Sequence, residues 1–322
     1  MRANSSAMPN NISQRSGAWE LSAPLLTVSE ISKMYGSALV LDGVSFEAYP
    51  GEILAIVGAN GAGKTTTFRL ITGLTSVSGG TMVLDGLDIS DHRVARRSLG
   101  ALIEGPGTYP HLTAAGNLRV LAWTAGHRIS AAEVSGLLEV VGLTTAGAQK
   151  VGKFSTGMRQ RLAIAIAMLG GPQLLILDEP TSGLDAMGIL EIRRLIKELP
   201  QSGKTILWAS HDLREVEDIC TRVIWLHRGQ VRYCGEVGGL PRGTEVLQVM
   251  VADPGLAVRT LAELREASDL SEVPGGVQVG GLPLGVVIER LVSAGLEVSD
   301  VRKIKTNFED VFANLAEQSN AD

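Results

Sequence analysis

Apolar residues in this chain come in two kinds of run. The first kind is unbroken: "EILAIVG" at 52–58 and "QLLILDEP" at 173–180 each hold a short apolar stretch bounded by charged or turn residues. Such runs suit strands buried on both faces, the condition of a parallel sheet. Further β-rich runs lie in "LLTVSEISKMYG", "VSFEAY", "TMVLDG" (81–86), "KTILWAS" (204–210) and "RVIWLHRGQVR" (222–232), and Gly and Pro punctuate the chain between them. The second kind has helical spacing. "SAAEVSGLLEVVGL" at 130–143 opens on Ser130 with Glu133 three residues later, a capping-box start. "MRQRLAIAIAML" (158–169) and "AMGILEIRRLIKEL" (186–199) read as two more helices. Strands alternating with helices predict an α/β domain around a parallel core.

Past about residue 241 the pattern shortens, and "LPRG", "ADPG", "PGG" and "GGLPLG" cut the chain into short strands and two helices. Three regions follow: a disordered extension over 1–24, an α/β domain over 25–240, and a C-terminal accessory α+β domain over 241–322. Hydrophobic residues at 45% and charged residues at 20% are the balance of a soluble globular protein. No apolar run approaches the 18 or so residues of a membrane span, and the N-terminus lacks the apolar core of a signal peptide, so a cytoplasmic protein is expected. A net charge of −5 offers no general attraction to nucleic acid. Two cysteines, Cys220 and Cys234, suit neither a disulfide framework nor a zinc site.

"GANGAGKTT" at 58–66 matches G-x-x-x-x-G-K-[ST] between a buried strand and the helical run "TTFRLITGL". A backbone wrapped through Gly58, Asn60, Gly61 and Gly63 turns its N–H groups toward phosphate oxygens, and the following helix adds its positive end. Lys64 then reaches the β- and γ-phosphates, Thr65 ligates Mg²⁺, and Thr66 completes the nucleotide-binding stretch. Hydrolysis also needs a carboxylate on the metal and a group that orients water. "LLILDEPTSGLD" at 174–185 supplies Asp178 for the first role and Glu179, as general base, for the second. Glu104, just before "GPGTYPHLTAAGNL" (105–118), is open to three readings: catalytic acid, metal ligand or solvated charge.

Together these motifs resemble the ATP-binding subunit of an ABC transporter, over about residues 26–240. "KFSTGMRQRL" at 153–162 stands where that family has its LSGGQ signature. Ser155 and Gly157 are kept, whereas Phe154, Thr156 and Met158 depart from the usual residues. The resemblance implies that Ser155 and Gly157 bind the γ-phosphate of ATP held by a partner subunit, so that two subunits enclose two ATP molecules. It also implies that Tyr35 stacks on adenine, that Asp185 in "SGLD" belongs to a loop crossing between subunits, and that His211 contacts the γ-phosphate. At Glu104 the family usually carries a glutamine near Mg²⁺ and the attacking water. The acidic version resembles that of bacitracin-type and lantibiotic-immunity exporters.

The implied fold is a P-loop NTPase of ABC type with a helical signature subdomain. The implied function is an ATPase, using ATP and Mg²⁺, that works as a homodimer or heterodimer on the cytoplasmic face of the membrane. It would power a separate transmembrane permease exporting an antibiotic, peptide or other amphipathic compound. "NFEDVFANL" at 307–315 resembles the terminal helix of drug-exporter ATPases. A soluble ABC ATPase acting on DNA or ribosomes is the alternative, and it lacks the expected coiled-coil insertion, second cassette or basic surface.

Overall fold

The computed structural model describes residues 22–89, 98–105, 107–239 and 245–305. Contacts divide the chain into two compact units, which separate between Gly238 and Gly239. The disordered extension expected over 1–24, apart from residues 22–24, and the helix expected at 307–315 lie outside the described residues.

The first unit is built on a six-stranded sheet in the order β10-β9-β3-β8-β7-β6. Its members are β3 (Ile53–Val57), β6 (Leu99–Leu102), β7 (Leu174–Asp178), β8 (Thr205–Ser210), β9 (Arg222–His227) and β10 (Gln230–Glu236). β6, β7, β8, β3 and β9 pair in parallel, and β10 returns antiparallel to β9. Every residue of β3 and β8 is buried, which is why their central residues are apolar without alternation, polar Thr205 and Ser210 standing only at the ends of β8. A second sheet, antiparallel in the order β2-β1-β4-β5, consists of β1 (Leu26–Tyr35), β2 (Ala38–Ala48), β4 (Gly79–Leu84) and β5 (Leu87–Asp88). Helix α1 (Lys64–Ile71) joins the sheets: Phe68, Leu70 and Ile71 share one core with Leu26, Ile31 and Leu41 on one side and Leu54, Ile176 and Leu207 on the other.

Three helices pack together beyond the sheet: α2 (Ala114–Thr124), α3 (Ala131–Val140) and α4 (Thr156–Ala167). Ser130 caps α3 in a complete capping box with Glu133, as its spacing predicts. α2 has no counterpart in the sequence pattern. The long amphipathic helix is α5 (Ala186–Glu198), opened by Asp185 accepting from Gly188 N–H at 3.0 Å, and the short α6 (Leu213–Val216) follows β8.

The second unit runs β11 (Glu245–Val251), α7 (Pro254–Ala262), β12 (Ser268–Val273), β13 (Gly276–Gly280), α8 (Leu284–Ser293), β14 (Val298–Lys305). Its antiparallel order, β12-β13-β11-β14, and its β-α-β-β-α-β sequence are those of a split βαβ fold. Leu247, Val249, Val277 and Val279 on one sheet face pack against Ala257, Leu261, Val287 and Leu291 of the two helices.

Candidate nucleotide site

β3 ends at Val57 and α1 begins at Lys64, so residues 58–63 carry the whole turn. A Cβ on Gly58 would collide with the Leu226 carbonyl oxygen, and one on Gly63 would press on Leu41 Cδ2 at 2.5 Å. Gly63 also holds φ at 109°. Glycine at both positions therefore has a steric cause. Ala62 N–H donates to Ala59 O at 3.1 Å and Gly229 N–H to Ala62 O at 3.0 Å, which closes the loop. Asn60 and Gly61 stand exposed at its tip, and Thr66 is half-buried on α1. No side chain caps α1 at Gly63, so its first amides keep the polarity that suits an anion.

Lys64 is only 5% exposed, and its ammonium donates to the carbonyls of Gly58 at 2.7 Å and Ala59 at 3.2 Å. It also lies 3.7 Å from Glu179 Oε1. One residue on, Thr65 Oγ1 donates to Asp178 Oδ2 at 2.7 Å. Asp178 Oδ1 is buried and has no hydrogen-bond partner among the described residues. Burial pushes this carboxyl above the usual aspartate range; the Thr65 bond opposes that, the charge of Glu179 adds to it, and Lys64 and Arg69 oppose it. A buried carboxylate oxygen without a donor is costly in a protein interior, and beside a hydroxyl it is a ready ligand for a hard divalent cation.

Glu179 follows the end of β7 with φ at 46°, left-handed backbone that a non-glycine residue rarely adopts. Its N–H is tied to Ala209 O at 3.0 Å. Its carboxylate stands between Lys64 and His211, whose Nδ1 is 3.4 Å from Glu179 Oε2. Glu215, which sequence reasoning missed, braces this edge: its Oε2 accepts from Thr181 Oγ1 at 2.8 Å and from Ser210 Oγ at 2.9 Å. The loop after Glu179 and the end of β8 just before His211 are thereby fastened to the same carboxylate.

The structure thus brings together the 58–66 loop, Thr65, Asp178, Glu179 and His211. Among the described residues no bond joins Glu104 to Thr65 or Asp178. Glu104 is exposed, has φ at 60°, and forms an ion pair with Arg69 of α1. Tyr35, at the end of β1, is 45% exposed with Lys33 Nζ 4.9 Å from its ring centroid. Ser155 caps α4 by accepting from Met158 N–H at 3.2 Å, and a Cβ added at Gly157 would meet nothing within 4 Å. Among the described residues no bond joins Ser155, Gly157 or the exposed Asp185 to the 58–66 loop.

Known proteins resemble this chain. The ABC transporter family model matches residues 41–182, from within β2 to the residues just after Glu179. The lantibiotic transport ATP-binding protein SrtF of Streptococcus pyogenes is 38% identical over 64% of this chain and 89% of its own length. The bacitracin transport ATP-binding protein BcrA of Bacillus licheniformis is 34% identical over 90% of this chain and 97% of its own. A solved ATP-binding subunit of an ABC transporter superposes with a TM-score of 0.60 at 33% identity, covering 67% of this chain and 91% of that one. The chain belongs to the ABC transporter family as an ATP-binding, ATP-hydrolysing subunit.

Proposed function

We propose that this subunit powers the export of an antibiotic, peptide or other amphipathic compound through a separate membrane permease, at the cytoplasmic face of the membrane. No helix among the described residues is long and apolar enough to cross a membrane. The cargo class rests on SrtF and BcrA, which serve lantibiotic and bacitracin transport. The observation that carries the chemical reading is the Thr65–Asp178 pair, with its orphaned carboxylate oxygen, between Lys64 and Glu179.

Thr65 and Asp178 offer the hard oxygen donors that Mg²⁺ takes, and Mg²⁺ when bound would neutralise charge on the phosphates. Lys64 supplies a fixed positive charge to the β- and γ-phosphates, and Tyr35 an exposed ring for adenine. Glu179, held by its neighbours, accepts the proton of the attacking water as general base. His211, beside it, contacts the γ-phosphate and keeps the carboxylate aligned. Ser155 and Gly157 serve the nucleotide of a second subunit, identical or related, and Asp185 sits in the loop that crosses to it. The open space beside Gly157 supports this reading, since no neighbour within 4 Å requires glycine there.

The test is reconstitution of the subunit with its permease in vesicles, measuring ATP-driven movement of bacitracin, a lantibiotic and an unrelated sugar. Movement of either peptide antibiotic alone upholds the reading. Movement of the sugar with neither antibiotic sinks it.

A further inference from the structure

Helix α1 touches the carboxyl edge of the parallel sheet at two points, and only one belongs to the nucleotide loop. Thr65 and Arg69 are four residues apart, so they lie on one face of α1. Thr65 is bonded to Asp178 at the end of β7, and Arg69 is ion-paired with Glu104 just beyond β6. β6 and β7 are neighbours with Leu102 opposite Leu177, and Glu104 and Glu179 each follow that pair by two residues in their own segment. Both glutamates have left-handed backbone, at 60° and 46°. Three carboxylates, Glu104, Asp178 and Glu179, therefore gather at adjoining strand ends. Glu104 has its own counter-charge in Arg69, as Glu179 has Lys64.

Tyr109 is clipped to the wholly buried Asn117, whose Oδ1 accepts from Tyr109 N–H at 2.7 Å and whose Nδ2 donates to Tyr109 O at 3.1 Å. Only residues 105–108 separate Glu104 from that clip, and Gly105 and Gly107 are both left-handed, at 100° and 44°.

We propose that Arg69 is a positioning residue for Glu104: its guanidinium fixes where this carboxylate stands and keeps it from joining the Asp178 group. This rests on the reading of Thr65 and Asp178 as the metal side of the site. An exposed ion pair adds little stability, so the role of Arg69 is to direct charge rather than to hold the fold. Without it, Glu104 is repelled by no less negative charge but is free to turn toward any cation at Asp178.

The experiment titrates Mn²⁺ into the full-length subunit saturated with ADP and reads bound Mn²⁺ by electron paramagnetic resonance. Wild type is compared with R69Q, R69K, E104Q and the R69Q/E104Q double variant, and a thermal melt of each nucleotide-free protein checks folding. The expected result is that R69Q tightens Mn²⁺ about three-fold more in the Glu104 background than in the E104Q background, within the range open to an exposed ion pair. R69K should match wild type. Equal shifts in the two backgrounds, or none in either, overturn the proposal, because Arg69 then acts independently of Glu104. D178N separates the underlying reading: retained Mn²⁺ binding in that variant overturns the metal assignment itself, whereas its loss upholds it.

Discussion

The nucleotide loop and the start of helix α4, the two regions proposed to meet phosphate, differ in what they lack. Around the loop nearly every group already has a partner within the chain: Lys64 on two carbonyls, Thr65 on Asp178, Glu179 between Lys64 and His211. At α4, Ser155 and Thr156 are exposed, and the ground over Gly157 is open. The first region folds into a nearly finished cradle by itself. The second is finished only as a helix end, and its functional completion has to come from outside the chain. On the proposed reading, a single subunit binds nucleotide with one region and offers the other to a second subunit's nucleotide.

The sharpest way to break this contrast is at Glu179. Glu179→Gln should leave ATP binding intact while steady-state turnover falls by about 10²–10⁴-fold, the usual share of a general base. Size-exclusion chromatography should then find an ATP-held dimer. Hydrolysis at the wild-type rate would remove Glu179 from the catalytic role.

Next in size is Gly157→Asp. The space above Gly157 is empty, so the subunit should fold normally and bind ATP alone within about two-fold of wild type, as distant independent sites do. Dimer closure should fail, because the new charge faces the partner's phosphates. Equal loss of single-subunit binding and dimerisation would place the motif in the chain's own site and erase the contrast.

Glu104→Gln should do less to chemistry and more to coupling. Nucleotide binding and basal hydrolysis should stay within a few-fold of wild type, while cargo efflux by the reconstituted complex falls further. Unchanged efflux retires the coupling role; a collapse of hydrolysis by orders of magnitude makes Glu104 catalytic.

The smallest effects compare two serine caps. Ser130→Ala removes a reciprocal capping box and should cost about 1 kcal/mol of stability with no change in ATPase activity. Ser155→Ala removes a single long bond of 3.2 Å, so calorimetry should register less, whereas dimer-dependent hydrolysis should register more. The reverse pattern would make Ser155 a cap and nothing else.

Much of the first region was legible because its chemistry is local. Unbroken apolar runs marked β3 and β7, and the loop between β3 and α1 is contiguous, with Gly58 and Gly63 required by contacts that the motif encodes. Helix α2 was missed because Gly116 and Asn117 in its first turn are poor helix formers. The structure shows what Asn117 is for: it is wholly buried, and its amide bonds Tyr109 and Thr113 O. The antiparallel sheet of β1, β2, β4 and β5 was seen only as β-rich runs, since pairing depends on partners that periodicity does not identify. Arg69 and Glu215 were missed for the same reason. The contact from Arg69 to Glu104 bridges two elements whose register no local pattern states.

The place of β3 between β8 and β9 has a consequence in time as well as space. The loop at 58–66 takes its shape against Leu226 and Gly229, on the far side of the sequence. On the ribosome, roughly 160 further residues (226 − 66) must be added before that support exists, about 8–30 s at ~5–20 residues per second. A nascent chain stopped short of β9 thus carries every letter of the phosphate motif without the Leu226 and Gly229 contacts that brace it, so the loop reaches its full shape only once β9 and the turn after it have been made.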